Sequence, residues 1–96
     1  MDLPARIESE IGDLCQRLES LGYRVVETNV GPMDCYEVRL AGPAELFIGS
    51  DRGYLSAYRR SGPPYWIESD VSKWDTVGVN RFKSRVLEYA TEPGGR

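Results

Sequence analysis

Apolar residues recur at steps of three and four through the start of the chain: Leu3, Ile7, Ile11, Leu14, Cys15, Leu18 and Leu21. That spacing lines one face of an α-helix and leaves the polar residues on the other. Asp2 is placed to cap this helix, Pro4 fits its first turn, and Gly22 supplies a left-handed stop. Asp13 stands four residues before Arg17, the favourable order for a helical ion pair. From Tyr23 onward the period changes to two. Four strands are predicted, over Tyr23–Val30, Asp34–Leu40, Glu45–Gly49 and Tyr54–Arg60. They are separated by Gly31-Pro32, by Gly42-Pro43 and by Ser50-Asp51-Arg52-Gly53, which reads as a tight hairpin turn. In the first strand Arg24, Val26, Thr28 and Val30 alternate against Tyr23, Val25 and Glu27. In the second, Tyr36, Val38 and Leu40 share a face, with Cys35, Glu37 and Arg39 opposite. In the third, Leu46 and Ile48 oppose Phe47.

Beyond the fourth strand the pattern is less regular. Ser61-Gly62-Pro63-Pro64 reads as a loop and Tyr65-Trp66-Ile67-Glu68 as a short edge strand. Ser72-x-x-Asp75 has the form of a capping box, whereas Gly78 favours a helix start near Val79. From there Val79, Phe82, Val86, Leu87 and Ala90 form an apolar helical stripe reaching about Thr91. Residues 93–96 read as a disordered tail after a single domain over residues 1–92. Each helix must bury its stripe, and strands joined by short turns make an antiparallel meander. The predicted fold is α+β: a two-layer sandwich with the N- and C-terminal helices on one face of a four- to five-stranded antiparallel sheet.

Composition narrows the chemistry. The chain has 96 residues, 41% hydrophobic and 28% charged, which is ordinary for a small globular domain. No apolar run is long enough to span a bilayer, and no secretory signal is seen at the start. Net charge is −3, with four basic against nine acidic residues in positions 1–50 and eight against six in 51–96. A general phosphate-backbone binder is far more basic. Histidine is absent, which removes His-based triads and the commonest zinc sites. There is no Gly-x-Ser-x-Gly elbow, no phosphate-cradling Gly-rich loop, no Cys-x-x-Cys pair and no Mg²⁺ or Ca²⁺ spacing among the acids. The chain is expected to be no enzyme, and to hold no cofactor or metal. Cys15, on the helix stripe, and Cys35, in a predicted strand, are expected as buried free thiols, with a disulfide between them the alternative.

Aromatic residues are concentrated late. Seven of the ten fall in residues 51–96: Tyr54, Tyr58, Tyr65, Trp66, Trp74, Phe82 and Tyr89, with Arg52, Arg59, Arg60 and Lys73 among them. Tyr, Trp and Arg carry protein–protein hot spots, and the same set can stack on unpaired bases. The competing reading is structural, with both Trp residues filling the core beside the last helix. In the fourth strand Leu55 and Ala57 suit the face that meets the helices. Tyr54, Tyr58 and Arg60 then stand on the open face, near Tyr65 and Trp66, and these five residues are the candidate partner-binding set.

The order helix, strands, helix resembles double-stranded-RNA-binding domains. Against that, the stretch Val79-Asn80-Arg81-Phe82-Lys83-Ser84-Arg85 is an interrupted basic cluster and the first helix is acidic. The layout from Leu18-Glu19-Ser20-Leu21-Gly22-Tyr23 through the Tyr54–Tyr58 strand to the Arg81–Tyr89 helix is similar to that of small bacterial immunity proteins. Those proteins belong to contact-dependent inhibition and other polymorphic toxin systems. The resemblance covers most of the chain but is one of size and layout, so it assigns no site residue. It implies a cytoplasmic, non-catalytic inhibitor that neutralises a toxin or enzyme by direct binding. A nucleic-acid-binding module using Arg59-Arg60 and the Lys73–Arg85 groups is the alternative.

Overall fold

The computed structural model describes residues 3–60 and 64–91, with the backbone alone for Pro64 and Tyr65. Helix α1 (Ala5–Ser20) is followed by β1 (Arg24–Val30), β2 (Tyr36–Ala41), β3 (Glu45–Asp51), β4 (Tyr54–Arg60) and β5 (Pro64–Ser72). Helix α2 (Thr76–Ala90) closes the order. The five strands form one antiparallel meander in sequence order. One face carries both helices, so the fold is the expected α+β sandwich with the five-stranded form of the sheet. Among the described residues no helix is long and apolar enough to cross a membrane. The expected Asp2 cap, the tail at 93–96 and most of the loop at 61–64 lie outside the described residues.

A single core joins the layers. From the helices it takes Ile7, Ile11, Leu14, Cys15, Leu18, Phe82, Val86 and Ala90. From the strands it takes Tyr36, Val38, Leu40, Leu46, Ile48, Leu55, Ala57 and Ile67. Registers explain why these side chains meet: Val38, Ile48 and Ala57 pair across three strands, and Leu40 pairs with Leu46. Both helices start at the end of the sheet that carries the β1–β2 and β3–β4 connections. There Lys73, just before α2, reaches Glu10 of α1. Both finish at the opposite end, where the Tyr23 hydroxyl donates to the Ala90 carbonyl at 2.9 Å.

Turn chemistry fixes the boundaries. Gly22 takes φ +96°, and the N–H groups of Gly22 and Tyr23 return to the carbonyls of Glu19 and Leu18 in a Schellman closure of α1. The β3–β4 hairpin turns on Arg52 and Gly53, at φ +53° and +93°, the left-handed pair of a type I′ turn.

Several expectations need correction. Pro4 sits just before the helix in extended geometry, not in its first turn. Asp13 pairs with Lys83 of α2 at 3.0 Å instead of with Arg17, because α2 brings an ammonium to that flank. Burial acts to raise the Asp13 pKa, but the charge and hydrogen bonds of Lys83, with the Leu14 N–H, outweigh it and hold it down. In β1, a bulge between Val25 and Glu27 breaks the strict alternation. Asp34 and Cys35 precede β2, and Asp34 takes φ +65° in the connection. Strand β5 runs to Ser72, well past Glu68, and carries two irregularities opposite β4. Helix α2 starts at Thr76, earlier than Val79. Its N-cap is Asp75, whose carboxylate accepts from the Gly78 N–H at 3.1 Å, so Ser72 is not the cap.

Candidate functional site: the open face of the sheet

The sheet face away from the helices carries a row of side chains set by register. Arg39 of β2 pairs with Phe47 of β3, Phe47 with Tyr58 of β4, and Tyr58 with Trp66 of β5. Phe47 and Tyr58 stack, their centroids 4.5 Å apart and their planes within 7°. Trp66 leans on Tyr58 at 5.0 Å with a 49° tilt. Directly opposite strand positions are spaced for such contacts, and offset stacking is the favoured arrangement of ring quadrupoles. Trp66 is 60% exposed, so the ladder ends in a large ring that water reaches. Burial against its neighbours, then the charge of Glu37, raises the Tyr58 phenol pKa, and Arg60 works against that rise.

A second row lies beside the first. Glu37 pairs with Gly49, and Gly49 with Ser56. Because Gly49 has no side chain, a hollow of about 100 Å³ opens there, lined by Glu37, Phe47, Gly49, Ser56, Tyr58 and Trp66. On the far side of the aromatic row, Arg60 pairs with Glu45 across β4 and β3. Arg39 is held between Glu27 at 3.3 Å and Glu45 at 3.1 Å.

The sequence-derived set divides accordingly. Tyr58 and Trp66 stand side by side in the ladder, Arg60 is on the same face beyond it, and exposed Tyr54 lies toward the hairpin end. Tyr65 contributes backbone pairing to Arg59, and its side chain lies outside the description. Neither Trp fills the core. Trp74 is 76% exposed and lies over the hairpin turn, where a Cβ on Gly53 would run into its ring. Of the late aromatics whose side chains are described, Phe82 is the one fully buried. The set misses Phe47, Glu37 and Gly49. Phe47 alternates against Leu46 and Ile48, so its outward direction is readable, but its contact with Tyr58 depends on a register that the strand pattern does not give.

The basic residues grouped with the aromatics are mostly committed elsewhere. Arg59 is 4% exposed, on the inner face, and donates to the Tyr89 carbonyl at 3.1 Å near the C-terminus of α2, where the helix dipole favours a cation. Lys73 is drawn into an ion cluster beneath the hairpin end. Its Nζ lies 2.6 Å from Glu10 and 2.8 Å from Asp34, and over the Tyr36 ring. Asp34 also pairs with Arg6, and the Tyr36 hydroxyl donates to Glu10 at 2.8 Å. Burial, then Glu10, raises the Tyr36 phenol pKa far above its usual range, so it stays a donor. Arg85 pairs with Glu68 on the helix side.

Both cysteines are free thiols. Cys15 is buried as expected, which pushes its pKa up to about 12 and keeps it protonated. Cys35 is only half-buried, because it lies in the connection before β2. Among the described residues no three of His, Cys, Asp and Glu gather as a metal-ligand group. Set against protein-family models, curated proteins and solved structures, the chain matches none.

Proposed function

We propose that this chain is a non-catalytic, cytoplasmic protein-binding module of immunity type, which neutralises a toxin or enzyme by covering it with the open face of its sheet. The observation that carries this reading is the open-face ladder Phe47–Tyr58–Trp66, half-buried at Phe47 and Tyr58 and exposed at Trp66, with exposed Tyr54 and Arg60 on the same face. Antiparallel sheets are often polar on the solvent side, so stacked rings there expose apolar area that a partner would bury. Ring stacking also holds those side chains in place, which lowers the entropy lost on binding. The free thiols suit a reducing compartment. Size and helix–meander–helix layout support the inhibitor class.

Base stacking on the same ladder is the second reading, and the ladder geometry favours it. The charge pattern weighs against it: Arg59 and Lys73 point away from the ladder, and Arg60 is flanked by Glu45. Nucleic-acid binding draws most of its affinity from cations along the backbone path.

The test is co-expression with the products of the genes flanking its own. The expected result is one neighbour that is toxic alone, harmless with this chain, and recovered with it as a stable complex. If no neighbour is both toxic and bound, the immunity-type reading fails. A gel shift with single-stranded RNA or DNA that weakens steeply with salt would favour the second reading.

A further inference from the structure

We infer that the hollow over Gly49 receives a cationic side chain, an arginine of the partner protein, between the aromatic ladder and the Glu37 carboxylate. The inference rests on the open face being the interface and names what enters it.

Three observations converge. First, the hollow has the chemistry of a cation receptor. Its walls include three aromatic rings, Phe47, Tyr58 and Trp66, and among the described residues Glu37 is the one charged side chain that lines it. Ring faces attract cations, and a carboxylate at the rim adds charge-assisted hydrogen bonds. Second, the two flanks of the ladder differ. On one, the Glu45 carboxylate is already paired with Arg39, which ends the row. On the other, Glu37 has no ion-pair partner among the described residues. Arg60 does not supply one, because it lies beyond the aromatic row on the Glu45 side. Third, the opening is not demanded by the backbone. Gly49 does not take a positive φ, and a Cβ there would come no closer than 3.4 Å to the Tyr36 carbonyl. A Cβ at that position makes ordinary van der Waals contact, so the backbone does not require glycine there and the missing side chain leaves room over the sheet.

Arginine fits better than lysine. The guanidinium is flat, weakly hydrated and able to lie against a ring while its edge pairs with a carboxylate. Trp66, tilted off the Phe47–Tyr58 stack and 60% exposed, offers such a surface at the hollow that Glu37 also lines.

The experiment uses the intact chain, isotope-labelled, titrated with the tripeptide acetyl-Gly-Arg-Gly-amide and followed by NMR. Matched tripeptides carry lysine or the uncharged arginine isostere citrulline. The arginine peptide is expected to shift the Gly49 amide and the Trp66 indole N–H saturably, with lysine weaker and citrulline inert. Glu37→Gln should weaken arginine binding at least about fivefold. Gly49→Val should abolish it while leaving the melting temperature and the remaining spectrum unchanged. Equal binding of the citrulline and arginine peptides, or no shift with either, overturns the inference. If Trp66→Ala still destroys partner binding in that event, the interface stands and only its cationic occupant is removed.

Discussion

Single residues in this protein differ sharply in what their charges are worth. Lys73 has a side chain only 11% exposed and holds two carboxylates, Glu10 and Asp34, that come from α1 and from the β1–β2 connection. Removing it would leave Glu10 with the Tyr36 hydroxyl but no cation, and Asp34 with Arg6 alone, in a partly buried corner. Breaking a buried pair from one side costs far more than the pair contributes net. Lys73→Met is therefore expected to lower unfolding free energy by about 3 kcal/mol, measured by urea denaturation. Lys83→Met breaks only the bond to largely exposed Asp13 and is expected to cost less than about 1 kcal/mol. Equal losses in the two variants would contradict this ranking. The cluster was invisible in the sequence, because Asp34 and Lys73 are 39 positions apart and neither belongs to a motif.

At the level of elements, periodicity and turn chemistry made most of the fold legible. The stripes of α1 and α2, the Gly22 stop and the Arg52-Gly53 hairpin signal are local features, and local features survive folding unchanged. The parts that escaped are those settled by neighbours. The β1 bulge depends on pairing with β2, and the length of β5 depends on the exposed edge of β4. The start of α2 turned on two local signals in conflict. Gly78 weakens a helix, yet the Asp75 carboxylate captures its N–H and sets the boundary ahead of it. Asp75→Ala should then cost about 1 kcal/mol in thermal or urea unfolding, as loss of an N-cap does. A change within error would mean that packing of Phe82 and Val86 alone defines the helix start.

For the whole molecule, the asymmetry of the sheet is the central feature. One face is covered by two helices over a hydrophobic core, and the other carries a ring ladder that ends in exposed Trp66. Strand alternation made the direction of Tyr54, Tyr58 and Arg60 readable, because Leu55 and Ala57 claim the inner face. It did not reveal the ladder, since Phe47, Tyr58 and Trp66 come from three strands whose registers are set by turns and bulges. Under the proposed function the open face meets a partner, so its rings should matter to binding and little to folding. The most direct test is the affinity of Trp66→Ala for the cognate partner, measured beside its melting curve. The predicted result is a loss of about 2 kcal/mol or more, roughly thirtyfold in Kd, with the melting temperature nearly unchanged. Unchanged affinity, or a collapse of the fold that accounts for the loss, would contradict it.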